Sequence, residues 1–215
     1  MAKEWYRKET WSTADELDFF AHLRRARSNY NKAQYLRIQA CHLQSKTDEA
    51  LARAVIQLAQ KCVTDFPEEG SEIALCYLFM AESYSTLNEP DNATDAYLKC
   101  FDAQRRFPRH GTNAANSFAM FVIERDLTGL FEHAASALIE FNKHLSMPFE
   151  IYEHYGSLAI FAGTDGLLSE AKTFAQLALE AADKTHSGMW KHPNVGLVKD
   201  QSSNFRKRIE LILDS

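Results

Sequence analysis

Glycine and proline are scarce in this chain, with 8 and 5 among 215 residues. They fall between stretches whose apolar residues recur at helical spacing, and no stretch alternates in the manner of a half-buried strand. Sheet-rich architectures are thereby excluded, and an all-α fold is expected. No apolar run reaches the roughly 20 residues that a membrane-spanning helix needs. The opening residues MAKEWYRKETW lack the apolar segment of a secretory signal, so a cytoplasmic protein is expected. Four cysteines, Cys41, Cys62, Cys76 and Cys100, form no C-x-x-C pair, which argues against a zinc ribbon or a thioredoxin-like dithiol. There is no G-x-S-x-G elbow, no P-loop and no Rossmann glycine pattern. These gaps point away from an enzyme and call for no cofactor and no metal. A formal net charge of −5 gives no overall basic footprint for nucleic acid.

What is present is ordinary for a globular chain: 46% hydrophobic and 25% charged residues, with length for one sizeable domain over 1–215. Capping signals and periodicity divide it into helices. Thr13 and Glu16 read as a capping box, opening a leading helix within 13–32 whose apolar face is Leu17, Phe20, Ala21 and Leu23. Ser28–Asn31 reads as a turn, and a second helix follows over about 32–44. Thr47 is expected to cap a third that ends near Phe66-Pro67, and Ser71 to open a fourth. Pro90 suits the first turn of a fifth, running to Arg106. Further helices are expected at about 112–125, 127–145, 148–162, 167–184 and 202–213.

Short connections favour antiparallel neighbours, so repeats over 33–184 are expected. At an offset of 41 residues, Ala40 aligns with Ala81, Ala52 with Ala93, Ile56 with Tyr97, Ala59 with Cys100, and Phe66-Pro67 with Phe107-Pro108. Phe118, Phe121, Ala134 and Leu138 continue the register, and Tyr155, Ala159, Gly166 and Ala171 mark a fourth, shorter unit. Small residues late in one helix and early in the next let the two approach, and such pairs stack because one pair alone cannot bury its apolar face. CYLFMAESYSTLNEPDNATDAYLKCF, through Tyr77, Met80, Ala81, Tyr84, Ala93, Tyr97 and Cys100, resembles a tetratricopeptide repeat, and TDGLLSEAKTFAQLALEAA resembles the second half of another. Spacing of 41 departs from the family's 34. The whole chain also resembles small bacterial tetratricopeptide-like proteins of unassigned function. The resemblance implies a right-handed α-solenoid of about four irregular helix pairs. Its concave face, lined by first helices, would bind a peptide or protein, with Arg37, Tyr77, Tyr84, Asn116 and Tyr155 as contacts. An immunity-type or regulatory protein that neutralises a toxin or enzyme is an alternative within binding, and association of two copies is another.

Two further features invite a functional reading. No acidic residue occurs from Phe19 to Thr47, while Arg24, Arg25, Arg27, Lys32, Arg37 and Lys46 are basic. An anionic partner is one reading; compensation of the negative end of the leading helix is the other. Arg37 and His42 have the R-x4-H spacing of all-helical HEPN-type ribonucleases, though Ile38 stands where that family has a polar residue. HSGMWKHPNVGLV, within a connector over 185–200, breaks the helical pattern. Trp190, Val195 and Leu197 are expected to pin it down ahead of a capping helix over 201–215, whose Phe205, Ile209, Leu211 and Ile212 face inward. Trp5, Tyr6 and Trp11 are expected to form a lid before the first helix.

Overall fold

The computed structural model describes residues 4–45, 47–142, 145–199 and 203–215. Lys46, the 143–144 end of the expected seventh helix, and residues 200–202, where the connector was to meet the last helix, lie outside the described residues. The described residues form helices and loops and no strand. The chain divides into two compact units, Met1–Ala114 and Ala115–Ser215.

The first unit holds α1 (Thr13–Arg25), α2 (Asn29–Leu43), α3 (Glu49–Asp65), α4 (Gly70–Thr86) and α5 (Pro90–Arg106). From α2 onward, each helix packs on the next. The capping box of α1 lies one residue earlier than the sequence suggests: Ser12 Oγ accepts from the Asp15 amide at 3.2 Å, and Asp15 Oδ2 accepts from the Ser12 amide at 3.0 Å. Asp15 wins over Glu16 because its short side chain also accepts from the Ser12 and Thr10 hydroxyls. Hydrogen bonds from Ser12, backbone first, pull its carboxyl down to about 2. The inward face is accordingly Phe19 and Leu23, and Leu17 points outward with 68% exposure. Ser28 does not begin a loose turn. It caps α2 by accepting from the Asn31 amide at 3.1 Å. Asp48, rather than Thr47, caps α3 through the Leu51 amide.

Before α1, residues 4–12 are tied down as a lid. The buried Gln39 amide pairs with both backbone groups of Lys8, accepting from its N–H at 3.0 Å and donating to its C=O at 2.8 Å. Trp5 sits among Phe19, His22 and Tyr35, with ring centroids 4.8–5.3 Å apart.

Helices α3 and α5 correspond in backbone detail. Both are 17 residues long and begin 41 residues apart. They end on Phe66 and Phe107, whose φ, ψ angles are −134°, 52° and −126°, 69°. The carbonyls of Ala33 and Ala74, also 41 apart, each accept from a buried thiol of the following helix, Cys62 and Cys100, although these thiols are 38 apart and so not in the same register.

The second unit holds α6 (Ala114–Glu124, beginning at the boundary), α7 (Phe131–Phe141, preceded by a 3-10 turn at Thr128–Leu130), α8 (Pro148–Thr164), α9 (Leu168–Ala182) and α10 (Asn204–Asp214). One turn recurs between α4 and α5, α6 and α7, and α8 and α9. A positive-φ residue stands at Asn88, Asp126 and Gly166. The next amide donates back five residues, from Glu89 to Tyr84, Leu127 to Val122 and Leu167 to Ala162, each at 2.9 Å. This is the Schellman closure of a helix end.

Helix α10 lies on α8 and α9. Phe205 and Ile209 are buried, and Gly156 makes room for them: a Cβ there would stand 2.6 Å from Ile209 Cδ1 and 2.7 Å from Phe205 Cζ. Leu211 is not on this face; it is 67% exposed, because it lies about half a turn from Ile209. Within the connector, Phe149 N–H donates to Gly196 C=O at 2.8 Å, and Ser187 closes the loop on Pro193 and His192. Trp190 does not pin it. The ring is 86% exposed, and Val195 is 50% exposed.

Gly156→Ala is therefore expected to cost about 1–3 kcal/mol by overpacking, and Ile209→Ala about 2–5 kcal/mol by cavity formation. Both act on the seat of α10, so the double variant should lose less than the sum in urea denaturation. Strict additivity would show that Gly156 acts elsewhere.

Candidate functional site

Arg37 is half-buried and ion-paired. Its Nε donates to Glu72 Oε2 at 2.7 Å, and Glu72 is buried on α4, where it also accepts from the Ser71 hydroxyl at 3.0 Å. The pair spans α2 and α4. Its surroundings are packed: burial first, then the neighbouring Cys62 thiol, pushes the Cys76 thiol well above its usual range, with Glu72 adding to the effect. Burial likewise pushes Cys100 up to about 12. Thiols held protonated in this way are packing groups rather than nucleophiles. His42 is exposed on α2, and five helical residues set it roughly 140° around the axis from Arg37.

Tyr77 and Tyr84 are half-buried on a common stripe of α4. Across from them on α5, the Lys99 ammonium lies within electrostatic reach of both phenols; its own value is raised, first by its bond to Asp95 at 2.6 Å. Tyr77 lines a cleft of about 210 Å³ between the end of α3, α4 and α5. Val63, Pro67, Ile73, Ala103 and Phe107 supply its apolar walls, and Tyr77, Lys99, Asp102 and Arg106 its polar rim. Phe107 holds its place because residue 70 is glycine: any Cβ there would overlap the Phe107 ring. The rim charges are already matched at the surface, Arg106 with Glu68 at 2.8 Å and Asp102 with Arg105 at 2.9 Å. Exposed pairs of this kind contribute about 0–1 kcal/mol, so an incoming group displaces them at small cost.

Asn116 belongs to the interior of the second unit. It is 2% exposed, donates to the Glu150 carbonyl at 3.1 Å, and accepts from Asn142 Nδ2 at 2.6 Å. Asn142 Nδ2 also lies 3.1 Å from His154 Nδ1. This chain of three polar side chains joins α6, the end of α7 and α8. Asn142 carries no sign of its partner in the sequence, and His154, which shares a helical face with Glu150 and Glu153 and reads there as a surface polar residue, is buried instead. Tyr155 stacks on Phe174 of α9 at 6.0 Å and takes the edge of His154 at 4.9 Å, so it too is largely a packing residue.

Arg24, Arg25 and Arg27 are exposed at the α1–α2 corner, with Lys32 half-buried on the first turns of α2. Among the described residues no carboxylate pairs with them, and no group of three His, Cys, Asp or Glu side chains is placed to hold a metal ion. No described helix is long and apolar enough to cross a membrane.

Burial holds the His154 imidazole below its ordinary 6.5. The unfolded chain then takes up its proton at higher pH than the folded one, so this contribution to stability is complete above about pH 6.5 and is lost as pH falls through the folded value. Urea denaturation at pH 7.5 and 5.5 should show a larger loss for the wild type than for His154→Gln, whose amide oxygen still accepts from Asn142. Parallel losses would remove His154 as the source.

The chain was compared with protein-family models, with curated proteins and with solved structures, and none of the three gave a match.

Proposed function

We propose that this protein is a non-catalytic interaction module built of tetratricopeptide-like helix pairs, and that the α3–α4–α5 cleft of the first unit accepts an apolar side chain from a peptide or protein partner. The recurrent turn and the 41-residue match of α3 with α5 support the repeat reading. The cleft carries the binding reading. Sites for drug-sized ligands and cofactors usually enclose about 300–1,000 Å³, whereas about 150 Å³ of apolar cavity already takes a benzene ring. At about 210 Å³, this cleft has the size for one side chain rather than for a cofactor. Its apolar walls and ionic rim match the anchor-and-rim pattern of protein interfaces.

Among the five contact residues expected on the first helices, Tyr77 lines the cleft and keeps that role, Tyr84 stands on the same stripe of α4 outside the cleft lining, and Tyr155 packs on Phe174 of the second unit and has no part in the proposal. Asn116 and Arg37 have none either, since each is spent on an internal partner.

Selection of a random peptide library on the purified protein tests this directly. Enriched peptides should share one large apolar residue. Ala103→Leu, which fills the cleft from its wall, should weaken them by about 10- to 100-fold, the equivalent of roughly 1.5–3 kcal/mol for one lost apolar burial. Leu211→Ala, on an exposed face of α10, should leave them unchanged. Peptides that bind the Ala103→Leu protein as tightly as the wild type would refute the cleft.

A further inference from the structure

The α1–α2 corner is electrostatically at odds with the helices that form it. Arg24 and Arg25 suit the last turn of α1, where the helix end is negative. Arg27 and Lys32 do not suit α2. Arg27 precedes the Ser28 cap, Lys32 lies in the first turns, and no acidic residue stands in the first turn to offset the positive helix end. Most other described cations of the first unit are matched: Arg7 with Glu4, Lys8 with Asp15 and Asp18, Arg37 with Glu72, Arg53 with Glu89, Lys61 with Asp65, Lys99 with Asp95, Arg105 with Asp102, and Arg106 with Glu68, whereas the exposed Arg109 stands singly. Even the nearest helix end withholds its charge. Cys62 of α3 reaches Ala33 at the start of α2, but Asp65, one turn further, gives its carboxylate to Lys61 at 2.7 Å. Three exposed guanidiniums within four residues thus stay without a carboxylate among the described residues. The α1 dipole accounts for Arg24 and Arg25 but not for Arg27 and Lys32 at the positive end of α2, and departures from local electrostatic consistency are characteristic of functional surfaces.

We infer that Arg24, Arg25, Arg27 and Lys32 form a docking surface for an acidic segment of a protein partner. The guanidinium fork pairs bidentately with carboxylates, so three neighbouring arginines select clustered Asp or Glu side chains. A nucleic-acid strand fits less well. Affinity for a nucleic-acid backbone grows with the number of phosphates neutralised, and this corner offers only four cations. The inference rests on the interaction-module reading but uses a surface separate from the cleft.

Fluorescence anisotropy with a labelled octaglutamate peptide tests it, with octaglutamine and an eight-nucleotide oligouridylate as comparators. Octaglutamate should bind tightest of the three and weaken as salt rises. The combined variant Arg24→Gln, Arg25→Gln, Arg27→Gln should reduce its affinity about tenfold or more, while Lys61→Gln, whose cation is already paired and exposed, leaves it unchanged. The corresponding triple Arg→Lys variant, which keeps the charge and removes the fork, should fall between and serves where the Gln variant folds poorly. No octaglutamate binding, equal binding by both triple variants and wild type, or tighter binding of the RNA would overturn the inference. Ala103→Leu should bind octaglutamate normally, so failure of the cleft and failure of this corner give different results.

Discussion

Ala81, Ala93, Ala159 and Ala171 are each fully buried, and every one stands where a helix meets the next across a tight turn. The close approach of helix backbones at these points is the constraint on which the rest depends. A methyl in place of a larger side chain lets large neighbours fill the groove alongside, which is how a pair of amphipathic helices reaches interior packing density. Two glycines extend the same logic to other parts of the chain. Gly70 admits the Phe107 ring, and Gly156 admits Ile209 and Phe205. The first of these bears on the proposed site, because Phe107 is a wall of the cleft. The shape of that wall is set by an absent Cβ on the opposite side of the ring.

Polar side chains then decide which packing is adopted. Gln39 fixes residues 4–12 through both backbone groups of Lys8, Arg37 fixes α4 against α2 through Glu72, and Asn116, Asn142 and His154 fix three helices of the second unit. None of these is strong evidence for net stability, since a buried ion pair or polar chain spends much of its gain on desolvation. Their physical effect is asymmetric. The correct register satisfies every group, whereas a register shifted by one residue strands a charge or an amide away from water.

That asymmetry also marks the limit of what the sequence made legible. Helix number and order, the Pro90 start, the Phe66 and Phe107 ends and the small-residue register followed from periodicity and turn chemistry, because those are local properties. The face of α1 did not. Leu23 is buried as expected, but Leu17 lies roughly 120° around the axis from it and is exposed, while Phe19 takes the inward place. Arg37 and Asn116 were read as surface groups because their repeat positions suggested it. Their carboxylate and amide partners lie 35 and 26 residues away in sequence, at Glu72 and Asn142. Trp190 erred in the opposite direction. An aromatic ring in a connector is normally an anchor, yet here the loop closes on its own Ser187 and on Phe149, and the ring is left in solvent.

The two candidate surfaces of the first unit differ in what they ask of a partner. At the cleft, cations and anions alternate and already cancel, so the rim exerts little long-range field, and affinity must come from burying an apolar group after contact. At the α1–α2 corner the charges are of one sign and uncancelled, so their field extends to about the Debye length, near 8 Å at physiological salt, and acts before contact. Charge at such a surface chiefly governs the rate of encounter and the orientation of approach, while a desolvated anchor governs the lifetime of the complex. A partner carrying an acidic stretch and an apolar residue would engage both effects. A partner with only one of them would be either quickly met and quickly lost, or slowly found and well held.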